Sequence, residues 1–442
     1  MIKPFKHTEA LNVLKEGAKV GELVRVAGRG LYFAYDPGWL ATGYNLSPLT
    51  MAWDEKPQLA RNTSLFEGLH GPFADSLPDG WGLLLMDRYF DSTFGDGTHL
   101  TLTALDRLAY MGERSMGAFE YQPKAEKTEL TGPLDICQLY EASIEVQEGE
   151  TPAVLTKLRL AGGSPGGARP KAIVALSADK KHAISAFDAL PEGYAHWIVK
   201  FRALYEPIET GGIELAYAEM ARAAGVTIAE SDLLNVQMPG GEVERFFATK
   251  RFDRDGERKI HMMTVSALMY ADYRALSSID YPNLLKLTQV LTRSSVEVEK
   301  MARLMIFNAL SHNHDDHAKN FAFLCHNPEK KGEKETWTLS PAYDLTFANA
   351  MGEHTTDFGG RTPGTPTRKR IMEICKDYKY LKAEEYIEQT LAALANWRQV
   401  FTRLNVPHKA GEPIFNVLAR LHLDFEEASC RRVGSIVRSD RC

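Results

Sequence analysis

Between Phe307 and Leu324 the chain reads FNALSHNHDDHAKNFAFL, with three His and two Asp set between apolar flanks. Burying polar groups this densely is costly unless something satisfies them. Asn320 follows Asp315 by five positions. That pair suits transfer of a phosphoryl group. The Asp orients an incoming hydroxyl and accepts its proton, while the Asn offers a carbonyl oxygen to magnesium, a hard cation that prefers oxygen ligands. A second carboxylate must hold such a metal, and Asp344, in LSPAYDLTF, stands 24 residues after Asn320 between apolar neighbours. A rival chemistry is open to the same cluster. Three His and two Asp could bind iron, manganese or zinc, as in a His-Asp metal-dependent phosphohydrolase. Against it, the remaining His are scattered. Asp316, His312 and His314 are expected to be hydrogen-bonded scaffold.

A nucleotide would need phosphate contacts as well. Gly162, Gly163, Gly166 and Gly167 surround Ser164 and Pro165, and such a loop lets backbone N–H groups approach phosphate oxygens. It fails the Walker pattern, because Ala168 stands where Lys is required. It also fails the dinucleotide pattern, since a strand–loop–strand reading of Leu155–Leu176 places no helix after it. Read alone, the loop is equally a hairpin turn. Arg169 and Lys171 follow at once, and both can reach phosphate oxygens. Lys200 lies mid-strand in HWIVKF, either snorkelling or held by a partner; Glu214, opening the next helix, is its ion-pair candidate. Asp315, Asn320, Lys200 and Asp344 together follow the protein-kinase arrangement, although Asp344 lacks the Phe-Gly usual after that carboxylate.

These residues sit in a chain of 442 residues, long enough for two or three domains. Lys and Arg number 52 against 58 Asp and Glu, for a net charge of −6. This argues against a surface that grips nucleic acid throughout, while the run Arg368–Arg370 and the tail Arg431–Arg441 are local basic segments. Cys137, Cys325, Cys375, Cys430 and Cys442 form no CxxC pair, which fits reduced thiols rather than a zinc ribbon. The N-terminus has no apolar run of signal-peptide length, and no stretch approaches the roughly 20 apolar residues of a membrane span. A cytoplasmic protein is expected.

The elements that must position the chemistry follow from patterning. Gly21–Tyr35 alternates about a glycine turn as a hairpin does. Helices are expected at Asp75–Phe90, Thr103–Tyr110 and Leu134–Ala142, and strands at Leu155 onward, Lys171–Leu176, His196–Phe201 and Phe246–Phe252. Glu214–Ala224 is helical and stops at Gly225. From about 260 onward the patterns are helical, at Tyr281–Leu291, Ser295–Leu310, Ala383–Leu404 and Ile414–Val433. The expected fold is α+β and two-lobed, with a β-rich lobe followed by a helical lobe and a small N-terminal α+β domain. The boundaries are 1–125, 126–255 and 256–442.

The segments HDDHAKNFAFL, LSPAYDL, ATKRFDR and GELV…FAYDPGWLA resemble the HipA-type serine/threonine kinase toxins of bacterial toxin–antitoxin systems, over nearly the whole chain. VGEL, DPGWLA and SLPDG are similar to that family's N-terminal domain. The resemblance implies a protein-kinase-like fold, ATP and Mg2+ as cofactors, and Asp315 as catalytic Asp. It implies that His317, Lys319 and Asn320 serve ATP and magnesium, that Tyr343 and Asp344 form the second metal motif, and that Lys250, Arg251 and Phe252 hold adenine. Gly166, Gly167, Ala168, Arg169 and Lys171 match the phosphate loop and Lys200 the phosphate-binding strand lysine. Ser164 falls where the family autophosphorylates and inactivates itself. A phosphate there, with a charge of about −2, would repel a triphosphate.

The loop departs from better-known members in carrying Pro170 before Lys171, where they have an acidic residue, and in having Pro165 after Ser164, which restricts Ser164 away from helical angles. Lys250 stands where Glu is common. The resemblance further implies a translation protein, such as an aminoacyl-tRNA synthetase, as substrate, growth inhibition as outcome, and a helix-turn-helix HipB-like antitoxin as partner. DNA would be met only through that partner. The alternatives are the metal phosphohydrolase and a catalytically weak co-regulator bound to a DNA-binding antitoxin.

Overall fold

A computed structural model describes residues 5–61, 64–125, 131–149, 155–163, 166–187, 189–327, 335–350, 352–359 and 366–425. Ser164, the tail Arg431–Arg441, Cys430 and Cys442 lie outside the described residues. The chain forms two compact units. The first contains residues 1–211, 229–273 and 318–341, and the second residues 212–228, 274–317 and 342–442.

The first unit is built on antiparallel sheets. The Gly21–Tyr35 hairpin is present as Ala18–Val26 paired with Gly30–Tyr35, in a register that sets Gly21 opposite Tyr35 and Val26 opposite Gly30. Alternation sends Leu23, Leu31, Phe33 and Tyr35 into the core. Among the described residues this sheet has five strands, in the order Gln58–Leu59, Gly30–Tyr35, Ala18–Val26, Ala10–Lys15, Glu120–Gln122. The helices Gly80–Phe94 and Ala104–Met111 lie in the chain between its strands Gln58–Leu59 and Glu120–Gln122. Thr103 caps the second through a reciprocal capping box with Asp106, as Thr followed three residues later by an acid allows.

A six-stranded sheet runs in the order Ser231–Gln237, Val243–Lys250, Tyr194–Lys200, Lys171–Ser177, Ala183–Ser185, Pro133–Leu134. Lys171–Ser177 is central and almost wholly buried, which accounts for its continuous apolar sequence. Ala172, Val174 and Leu176 face a core shared with Leu139, Tyr140, Val146 and Leu158, whereas Ile173 and Ala175 face a smaller cluster with Ala186.

The strand expected from Leu155 into the glycine loop is instead a helix, Leu155–Gly162. Leu158 and Ala161 are buried three residues apart, the helical spacing that packs this segment beside Ile136–Gln147 and Gly80–Phe94. The loop therefore joins helix to strand. The region after residue 260 also contains a three-stranded sheet, His261–Thr264 with Ala322–His326 and Thr336–Leu339.

The second unit is helical. Asp280 caps Tyr281–Thr292 by accepting from Asn283 N at 2.7 Å, with Pro282 in the first turn where its missing N–H costs nothing. Ser294 caps Ser295–Ser311, whose residues from Leu304 to Ser311 are all buried. The expected helix Ala383–Leu404 breaks at Asn396 into Ala383–Ala395 and Trp397–Arg403, followed by His408–His422. Among the described residues no helix is long and apolar enough to cross a membrane.

Candidate functional site

In the first unit, Lys171 and Lys200 are directly opposite one another on adjacent antiparallel strands, so their side chains share one face. Both are buried. Lys171 Nζ donates to the carbonyls of Gly166 and Gly167, the latter at 3.2 Å; Lys200 Nζ lies 5.5 Å from the centre of the Phe247 ring. Burial of two cationic side chains on one face is costly unless anions or dipoles offset them. Arg169 is drawn back from the loop by Phe201 O at 3.0 Å and Glu206 at 3.2 Å. Gly166, Gly167 and Ala168 are exposed, and Gly167 has φ +93°, a conformation that glycine adopts without strain.

The glycine loop is held by the segment Pro78–Gly82. Asp79 stands at the N-terminus of Gly80–Phe94, yet its carboxylate makes no capping bond to that helix. It accepts from Gly167 N at 2.8 Å and pairs with the Lys319 ammonium. Trp81 N donates back to Gly167 O at 3.1 Å. Burial opposes charge on Asp79, but Lys319, the Gly167 N–H and Lys171 together hold its carboxyl below the usual value. Burial likewise opposes charge on Lys319, and Asp79 outweighs it, raising the ammonium. Lys319 Nζ also lies 4.3 Å from the centre of the Tyr273 ring. Asp75, four residues earlier, accepts from Thr264 N and Oγ1 at 2.7 and 2.8 Å, and Val265 N bonds to Phe321 O at 2.8 Å. These bonds fix the short turn Ala318–Asn320, where Lys319 and Asn320 sit. In the sequence, SLPDG reads as a helix opening similar to the family's N-terminal domain; its carboxylate partners are 88 and 240 positions away.

Lys250 is exposed and pairs with Glu230 at 3.1 Å. Arg251 is committed elsewhere. Its guanidinium is buried against Asp253 at 2.7 and 2.9 Å and reaches Ser115 O, while Phe252 is half-buried. Asp253 also accepts from Arg254 at 3.0 Å and Gly117 N at 2.7 Å. Burial disfavours its charge, but Arg251 and Arg254 hold it well below the usual carboxylate range.

In the second unit, Ser295–Ser311 ends at His312, whose φ of +56° turns the chain into the polar loop. His314 N bonds to Ala348 O at 3.0 Å and Ala348 N to His312 O at 3.1 Å, so the segment carrying Tyr343 and Asp344 is anchored at this loop. Asp316 is fully buried and is the hub of the loop. It accepts from Tyr281 Oη at 2.6 Å, His354 Nδ1 at 2.9 Å and Thr356 N at 3.0 Å. Asn308 links Tyr281 to Asn313 in the same network, at 3.0 Å on each side. His312 takes Asn349 Oδ1 at 2.8 Å, and its ring lies tilted against His314 at 3.8 Å between centres; burial, His354 and His312 hold His314 down to about 4. Asp315, by contrast, is 54% exposed, with His317 Nε2 at 3.9 Å. Asp344 has φ +57°, uncommon outside glycine but tolerated by Asp. Glu214 is buried in this unit and Lys200 belongs to the first. Among the described residues no three of His, Cys, Asp and Glu converge as a set able to hold a metal.

A family model for the HipA-like C-terminal domain matches residues 163–398, and one for the HipA N-terminal domain matches residues 11–122. The chain belongs to the HipA family. A curated relative from Sinorhizobium fredii, "Putative kinase Y4dM", is 30% identical over 173 residues, covering 36% of this chain and 39% of that protein. A HipA chain from Shewanella oneidensis MR-1, solved in a complex of a toxin–antitoxin system with HipB and operator DNA, matches with a TM-score of 0.64 at 17% identity. That match covers 93% of this chain and 95% of the other. The expected kinase-like, mixed α/β fold of the HipA type is thus the fold of this protein. The matched C-terminal region begins at the glycine loop, and the matched N-terminal region contains Asp79.

Proposed function

We propose that this HipA-family chain is an ATP-dependent serine/threonine protein kinase, transferring the γ-phosphate of ATP to a protein hydroxyl. The observation that carries the reading is the buried pair Lys171 and Lys200, opposite one another beside an exposed glycine loop. This cradle is cationic, shielded from water and suited to phosphate oxygens. ATP supplies the phosphoryl group, and Mg2+ would neutralise charge on it. Asn320 and Asp344 offer the oxygen donors that such a cation requires. Asp315 is the base that accepts the hydroxyl proton. Lys171, Lys200 and Arg169 hold phosphate oxygens with the N–H groups of Gly166 and Ala168, on either side of Gly167, whose own N–H is taken by Asp79. His317, Lys319 and Tyr343 complete nucleotide binding, and the backbone of Lys250–Phe252 receives adenine.

The remaining assignments belong to the same proposal. Residues 1–125 act as a HipA N-terminal domain, residues 126–255 as the lobe with the glycine loop, and residues 256–442 as the helical lobe. The substrate is a protein of the translation machinery, phosphorylated to arrest growth, and Ser164 is the self-inactivating phosphosite. The partner is a HipB-like helix-turn-helix protein, supported by the composition of the Shewanella complex. With a net charge of −6, this chain meets DNA through that partner.

Incubation with magnesium and γ-labelled ATP, followed by phosphopeptide mapping, tests the reading. Label on Ser or Thr, with Ser164 among the sites, supports it. An absence of transfer together with a tightly bound transition metal found by elemental analysis would replace it with the phosphohydrolase.

A further inference from the structure

We infer that Asp79, from the HipA N-terminal region, is a positioning residue for phosphate transfer, holding the glycine loop and Lys319 in one fixed arrangement. The inference rests on the kinase reading for what the arrangement serves, while the arrangement itself stands on geometry. An Asp at a helix N-terminus ordinarily accepts from the N–H groups of its own first turn. Here that carboxylate turns away. One oxygen takes Gly167 N–H at 2.8 Å and the other takes the Lys319 ammonium. The first turn recovers a partner from the loop, since Trp81 N–H donates to Gly167 O at 3.1 Å. Loop and helix end therefore exchange two hydrogen bonds at a single residue, Gly167.

The backbones approach so closely that no side chain fits at two positions. A Cβ on Gly80 would strike the Gly167 carbonyl, and one on Gly82 would meet Gly163 O at 2.6 Å. Pro78–Gly82 thus clamps the loop on both sides of Ser164. Asp79 and Lys319 are 11% and 16% exposed, so water competes weakly for the pair. Lys319 adjoins Asn320, and Asp79 is the one group bonded to both that segment and the glycine loop by the contacts described above. Neither bond can be replaced by an apolar side chain. Asn preserves an acceptor for Gly167 but turns its NH2 toward Lys319, losing both the charge and the acceptor there.

The test compares wild type, Asp79→Ala and Asp79→Asn as full-length protein. Hydrogen exchange without nucleotide reads the clamp. The Gly167 amide should be slow in wild type, at least tenfold faster in Asp79→Ala and intermediate in Asp79→Asn. Equal exchange in all three overturns the clamp. Magnesium–ATP binding by calorimetry, in an Asp315→Asn background whose turnover is slowed, reads its purpose. Affinity should fall tenfold or more in Asp79→Ala, with partial recovery in Asp79→Asn, all measured below the variants' thermal midpoints, which loss of the ion pair should lower. If the parent protein binds ATP and the variants bind it equally well, the positioning role is overturned and the kinase reading survives. If the parent binds no ATP, the kinase reading fails together with the purpose assigned to Asp79.

Discussion

Asp316→Ala should loosen the loop that carries Asp315, at a cost that can be estimated. Three buried donors converge on that carboxylate, Tyr281 Oη at 2.6 Å, His354 Nδ1 at 2.9 Å and Thr356 N at 3.0 Å. A buried donor deprived of its acceptor costs about 1–3 kcal/mol. Release of a buried carboxylate offsets part of the sum, so a net loss of about 3–5 kcal/mol is expected. At roughly 2–4 °C per kcal/mol for a unit of this size, the thermal midpoint should drop by about 10 °C. Tyr281→Phe removes one of the three donors and should cost about 1–2 kcal/mol. Because Tyr281 also accepts from Asn308, the two substitutions share a network and their effects should fall short of additivity by about 1 kcal/mol. Chemical unfolding followed by near-ultraviolet circular dichroism measures both, and phosphate transfer below the lowered midpoint reads the loop. A loss under about 1 kcal/mol for Asp316→Ala, or strict additivity with Tyr281→Phe, would refute the hub.

Asp253→Asn should also destabilise, by about 3–5 kcal/mol, because it leaves the buried Arg251 and Arg254 without their carboxylate; a thermal midpoint within 2–3 °C of wild type, less than about 1 kcal/mol, would contradict this. His261 is fully buried, with Nε2 2.8 Å from Leu46 O, and burial holds it down to about 4. Its folded value lies below the ordinary value near 6.5, so the unfolded chain takes up the proton first. Its contribution is therefore complete above pH 6.5 and is lost as pH falls from 6.5 toward 4, by roughly 3 kcal/mol at the acid end. Urea midpoints measured across that window should flatten in His261→Gln, and an identical slope in the variant would dismiss the assignment.

What the sequence made legible was local. The Gly21–Tyr35 hairpin announces itself through alternation about a glycine turn, and Ser295–Ser311 through an apolar face and a Ser cap. Leu155–Gly162 was misread because eight residues with Leu at 155, 158 and 160 satisfy either period. Its helical state is decided by packing against Ile136–Gln147 and Gly80–Phe94. The sheet His261–Thr264, Ala322–His326, Thr336–Leu339 was missed for a related reason. Each strand has four or five residues, too few for periodicity, and the pairing spans about sixty positions. The polar loop showed its chemistry at once, because Asp315 and Asn320 are neighbours in sequence. That Asp316 rather than Asp315 is the buried member is a property of Tyr281, His354 and Thr356, residues up to forty positions away. Asp79 lay further beyond local spacing, since its meaning is carried entirely by Gly167 and Lys319.

The most direct measurement of the central claim is transfer of the ATP γ-phosphate to protein Ser or Thr, compared between wild type and Asp315→Asn. Asp315 is 54% exposed, so the isosteric variant should fold with a nearly unchanged thermal midpoint. Loss of the proton acceptor should slow transfer by about 10²–10⁴-fold while magnesium–ATP still binds. Transfer at the wild-type rate by a folded Asp315→Asn protein would contradict the account.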